Sequence, residues 1–110
     1  MSSLEYKIAI IGNQDAVFGF RTIGVDAVAV KSPEEAQIRV KELYNSPEYA
    51  VIMITEDWAE ILDETLRKLP PKALPAIVAV PSQAGSTGAG LLQLKRIVER
   101  AVGSDILADR

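Results

Sequence analysis

A chain of 110 residues has room for one domain with a substantial core and not for two. With 48% apolar and 25% charged residues it has the make-up of an ordinary globular protein, and no apolar run approaches the roughly 18 residues that a membrane span takes. A net charge of −3 and a pI near 4.9 argue against a nucleic-acid partner, and the lack of Cys and His removes thiol nucleophiles, imidazole bases and Cys/His zinc sites. The opening Met-Ser-Ser-Leu-Glu-Tyr has neither the basic nor the apolar region of a signal peptide, so a cytoplasmic protein is expected, with no direct membrane insertion.

Residues 6–12, Tyr-Lys-Ile-Ala-Ile-Ile-Gly, form a β-branched run ending in Gly, as buried parallel strands do. A short first helix is expected over 15–23, interrupted by Gly19, and a second strand over 25–30. Ser32-Pro33-Glu34-Glu35 is a helix start, with Ser32 as N-cap, Pro33 at the first helical position and Glu35 placed to close a capping box. Ala36, Val40, Leu43 and Tyr44 continue that helix at helical spacing until Asn45-Ser46-Pro47 ends it. A third strand follows over 49–55, and a third helix with the stripe Trp58, Leu62, Leu66 and Leu69, stopped by Pro70-Pro71. The fourth strand is 76–80. Alternating strands and helices with right-handed crossovers give an α/β fold: a Rossmann-like or flavodoxin-like four-stranded parallel sheet of order 2-1-3-4, with helices on both faces.

Three places invite a chemical reading. Gly12-Asn13-Gln14-Asp15 stands where a dinucleotide fold carries G-x-G-x-x-G, but Gln14 occupies the second glycine position, so a turn with Asn13 or Asp15 capping the first helix is expected. Gly85-Ser-Thr-Gly88-Ala-Gly90 follows a strand, yet Leu91-Leu92 replaces the Lys-Ser/Thr that a phosphate-binding loop needs. Thr55-Glu56-Asp57 with Asp15 could gather acidic groups at the carboxyl edge of the sheet in the manner of a receiver domain. The first strand lacks an acidic pair after it, however, and no fifth strand supplies a Lys. Glu56 and Asp57 then serve the positive end of the third helix. No catalytic residue, cofactor or metal site is expected. A flavodoxin-like or receiver-like signalling or ligand-binding module is the competing reading.

The last third is the most telling. Leu91, Leu94, Val98 and Ala101 make one helical stripe and Leu92, Ile97 and Val102 lie beside it, while Gln93, Arg96 and Arg100 keep a narrow polar side. This is more apolar surface than one small domain needs, which points to a docking helix. The organisation expected is a sheet domain over 1–81, a flexible Gly/Ser loop over 82–90 hinged at Gly85, Gly88 and Gly90, and a C-terminal helix and tail over 91–110, compact overall.

A family resemblance rests on pieces in unbroken order from about residue 6 to 107: Ile8-Ala-Ile-Ile-Gly12 with Asp15, Gly19-Phe20-Arg21 with Gly24, and Ile54-Thr55-Glu56. Pro75-Ala-Ile-Val-Ala-Val-Pro81-Ser82 follows, with Gly85, Gly88 and Gly90, then Glu99-Arg-Ala-Val-Gly103 and Ile106-Leu107. The chain resembles the F subunit of the V-type and A-type rotary ATPases, called the G subunit in some bacterial sodium-pumping forms; Asn13 departs from the Asp usual after that Gly. The resemblance implies a noncatalytic subunit of the central rotor stalk, peripheral on the cytoplasmic face of the membrane. Such a subunit clamps the coiled-coil hairpin of the D subunit and, with the rest of the complex, couples ATP hydrolysis or synthesis to proton or sodium transport. The partner-contacting residues would be Leu91, Leu94, Val98, Ala101, Ile106 and Leu107.

Overall fold

The computed structural model describes residues 6–82 together with Leu92 and Arg96, and for Thr22 and Ile23 the backbone alone. The four apolar runs become the strands β1 (Lys7–Gly12), β2 (Asp26–Ala29), β3 (Tyr49–Thr55) and β4 (Ala76–Val80), all parallel in the order β2-β1-β3-β4. Successive side chains of a strand point to opposite faces, so a sheet covered on both sides needs continuous apolar runs. Ile8 and Ile10 of β1, Val51 and Met53 of β3, and Val78 and Val80 of β4 fall in one buried cluster. Ala9, Ile11, Ile52 and Ile54 fall in the other.

The first cluster is capped by α1 (Gln14–Phe18) and the 3-10 turn Gly19–Ile23, which bring in Val17 and Phe20. The expected single first helix therefore tightens at Gly19 into a 3-10 turn and ends at Gly24, whose φ of 83° is left-handed backbone that suits glycine. The second cluster is covered by α2 (Pro33–Asn45), which buries the expected Ala36, Val40, Leu43 and Tyr44. The Ser32 Oγ accepts the Glu35 N–H at 3.1 Å, as expected of the N-cap. The Glu35 carboxylate, however, accepts the N–H of Lys31 at 2.9 Å, one residue earlier than a capping box requires.

The expected third helix is two, α3 (Glu56–Ile61) and α4 (Asp63–Arg67), joined at Leu62. There the backbone leaves helical geometry (φ −92°, ψ 10°), while the Leu62 side chain has no solvent exposure. The bonds across the joint persist: Leu62 N–H donates to Trp58 C=O and Leu66 N–H to Leu62 C=O, both at 2.9 Å. The joint is thus a bend, and the stripe Trp58, Leu62, Leu66, Leu69 still faces the sheet. Beyond it, the Tyr44 hydroxyl donates to Pro70 C=O, and the Lys72 ammonium lies 4.6 Å over the Tyr44 ring and donates to Tyr44 C=O at 3.1 Å. These contacts tie the Pro70-Pro71 stop to the end of α2.

Gly12 ends β1 against the end of β3. A Cβ there would stand 2.8 Å from Thr55 Cγ2, 3.0 Å from Thr55 Oγ1 and 3.2 Å from Val17 Cγ1, and Thr55 is fully buried. Gly12→Ala is expected to destabilise the fold by about 1–3 kcal/mol, the usual scale of overpacking. Adding Thr55→Ala should recover part of that loss, giving a non-zero coupling in a double-mutant cycle of urea unfolding.

Candidate functional site at the carboxyl edge of the sheet

In an open parallel sheet, ligands bind where the strand order reverses, outside the carboxyl ends of the strands. Here the reversal lies between β1 and β3, and the groups at that edge are Gly12 and Asn13, then Thr55 to Asp57, then Pro81 and Ser82 after β4. Two of the polar side chains at this edge, Asn13 and Asp57, are held by hydrogen bonds from other elements. Asn13 sits at the N-cap position of α1 but makes no side-chain cap. Its Oδ1 instead accepts the indole N–H of Trp58 at 2.8 Å, which corrects the capping role expected of it. Trp58 is 6% exposed, a core residue whose one polar atom needs a partner, and Asn13 supplies it.

Asp57 joins the same edge to the chain's exit from the sheet. Ser82 donates its hydroxyl to Asp57 Oδ1 at 3.2 Å, bridging the first turn of α3 and the residue after Pro81. The Asp57 carboxyl is held below its ordinary value of 3.8, first by the Thr55 hydroxyl, then by the Trp58 N–H, the Ser82 hydroxyl and its own N–H, against the opposing effect of partial burial. Thr55 Oγ1 is buried and has no hydrogen bond of ordinary geometry among the described residues. Glu56 and Asp57 both stand in the first turn of α3, as expected.

Chemically, this edge is a clasp. Among the described residues no three acidic groups converge as a metal site, so Asp15 is not brought together with Glu56 and Asp57. Gln14 opens α1 where a dinucleotide fold would have its second glycine. The hinge residues Gly85, Gly88 and Gly90 and the contact residues Leu91, Leu94, Val98, Ala101, Ile106 and Leu107 lie outside the described residues. Leu92 and Arg96, one helical turn apart, are helical and exposed, Leu92 to 54%. Neither the Asn13–Trp58 nor the Asp57–Ser82 bond was legible in the sequence, since partners 45 and 25 residues apart leave no local signal.

The sequence profile of the ATP synthase (F/14-kDa) subunit family matches residues 8–98, from the first strand into the tail. This chain belongs to that family. It is 35% identical to the F subunit of the V-type ATP synthase of Fusobacterium nucleatum, over 94% of this chain and 98% of that protein. With the F subunit of the A-type ATP synthase of Methanococcus vannielii the identity is 37%, over 91% of this chain and 98% of the relative. The crystal structure of the V-type ATP synthase F subunit from Archaeoglobus fulgidus shares the fold, with a TM-score of 0.54 at 22% identity over 69% of this chain and 98% of that one. Within the ATP synthase F/14-kDa family, the edge residues fall inside the matched span, Asn13 and Trp58 included.

The lowered Asp57 carboxyl implies a stability contribution that is complete above the ordinary value of 3.8 and fades as pH falls through the lower folded value. Carboxyl NMR titration should show Thr55→Val moving Asp57 back toward the ordinary value by more than Ser82→Ala does. An unmoved Asp57 in both variants would exclude the hydroxyls as the cause.

Proposed function

We propose that this chain is a noncatalytic subunit of the central stalk of a V-type or A-type rotary ATPase or ATP synthase, gripping the coiled-coil shaft formed by the D subunit. The observation that carries the reading is the unbroken family match over residues 8–98, which runs through the sheet and on into the apolar helical stripe. The relatives at 35% and 37% identity are named as F subunits of V-type and A-type ATP synthases. In this role the protein lies at the cytoplasmic face of the membrane, bound to the rest of the complex, and helps couple ATP hydrolysis or synthesis to proton or sodium transport. In this reading the nucleotide chemistry belongs to other subunits, which is supported by the close packing of Thr55 on Gly12 and by the Asn13–Trp58 bond at the edge where an α/β sheet takes a ligand.

The grip is a matter of surface and hinge. Fully burying each aliphatic side chain of the stripe Leu91, Leu94, Val98 and Ala101 contributes roughly 1.5–3 kcal/mol for the larger ones, before the cost of ordering. Gly85, Gly88 and Gly90 give the tail freedom to reach the shaft, and Ile106 and Leu107 extend the contact. A tail with two docked positions regulates the rotor only as far as its affinity for the shaft differs between them. The Asp57–Ser82 clasp fixes where the tail leaves the sheet.

Leu94→Asp or Val98→Asp should weaken binding to the coiled coil of the D subunit at least tenfold, because a charge then enters a dry seam, while Arg96→Ala should leave affinity within about twofold. Calorimetric titration with the shaft protein measures both, and equal affinities for Val98→Asp and Arg96→Ala would move the interface to the sheet domain. A chain ended after Pro81 should keep its far-ultraviolet circular dichroism and cooperative unfolding, since all four strands lie upstream, and should bind the shaft more weakly. An unfolded truncation would make the tail part of the core.

A further inference from the structure

Among the described residues the sheet has two open edges, β2 and β4, and they differ. β4 is bounded by Pro75 and Pro81, residues that guard an edge because they offer no N–H. β2 carries no Lys, Pro or bulge between Asp26 and Ala29. Its hydrogen-bonding direction follows from one bond: Val30 N–H donates to Gly12 C=O at 3.0 Å, toward β1. Alternation along the strand then turns the N–H and C=O of Ala27 and Ala29 outward, to the free side. The side chains of Ala27 and Ala29 are small, and Gly24 lies just before the strand.

A groove runs along this edge, lined by Arg21, Gly24, Asp26, Ala27, Arg39 and Tyr49. The two guanidinium groups come from elements packed on opposite faces of the sheet, the 3-10 turn and α2. Arg21 makes no ion pair among the described residues, and the Arg39–Glu42 pair is exposed on both sides and readily exchanged. The one carboxylate in the lining, Asp26, already accepts the Tyr49 hydroxyl at 2.6 Å. A strand edge that is unpaired among the described residues is thus flanked by two cationic forks suited to carboxylates, in a chain that is acidic overall.

We propose that the outer edge of β2 accepts an extended, acidic segment of a partner protein as a fifth strand. Its backbone pairs with Ala27 and Ala29, and its carboxylates meet Arg21 and Arg39. Strand addition of this kind draws affinity from main-chain bonds and specificity from the flanking side chains. The surface is independent of the tail stripe, so failure of either reading leaves the other standing.

The test titrates the full-length, isotope-labelled protein with a short capped peptide alternating Glu and Val, followed by amide NMR and hydrogen exchange. The Ala27 and Ala29 amides should shift and gain protection, with affinity falling as salt rises. Ala27→Pro removes an outward N–H without touching the bonds to β1 and should weaken binding at least tenfold. Arg21→Glu combined with Arg39→Glu should do the same, and a Lys-Val peptide should not bind. The same peptide N-methylated at alternate residues repeats the test with the protein unaltered and should lose the shifts. Unmoved Ala27 and Ala29 amides at millimolar peptide, or full binding by the methylated peptide, would overturn the proposal. So would concentration-dependent protection of β2 without peptide, which would assign the edge to a second copy of this chain.

Discussion

The contact on which the rest of the architecture depends is the close approach of β1 and β3 at their carboxyl ends, where Gly12 leaves no room for a Cβ between Thr55 and Val17. These two strands are the centre of the order β2-β1-β3-β4, and each is apolar on both faces. A parallel pair of this kind is stable only when helices cover both sides, so the two clusters above and below the sheet follow from it. The position of α1, begun two residues after Gly12, and of α3, begun directly after Thr55, is set by where these strands stop.

That same closeness determines what the carboxyl edge can do. In many open sheets the reversal of strand order leaves a crevice for a ligand. Here Gly12 lies close against Thr55, and two of the polar groups at the rim are taken up by hydrogen bonds: Asn13 serves the buried indole of Trp58, and Ser82 serves Asp57. Hydrogen bonds of this kind hold neighbouring elements in place. The second of these bonds places Ser82, just past β4, against the first turn of α3.

Charge and edge protection are distributed unevenly around the sheet. Prolines flank β4, while Ala27 of β2 shares a groove with Arg21 and Arg39. On the face of α2 the side chains are spent on internal order, with Tyr44, Pro70 and Lys72 binding the end of one helix to the stop of the next. The outer edge of β2 thus lies at the rim of the domain, away from the two buried clusters.

The sequence by itself determined the strands, their parallel order and most of the core, because these are written in local patterns: continuous β-branched runs, a Ser-Pro-Glu-Glu helix start, and apolar residues three and four apart. It also carried the family, through ordered pieces spread over most of its length. Tertiary structure alone decided what the polar residues do. Asn13 looked like a helix cap and became the partner of an indole 45 residues away, Glu35 reached past Ser32 to Lys31, and the helix at Leu62 bent where the side chain is fully buried. Apolar burial follows periodicity within a segment, whereas a hydrogen bond depends on which atoms the packed segments bring within about 3 Å, and no spacing along the chain encodes that.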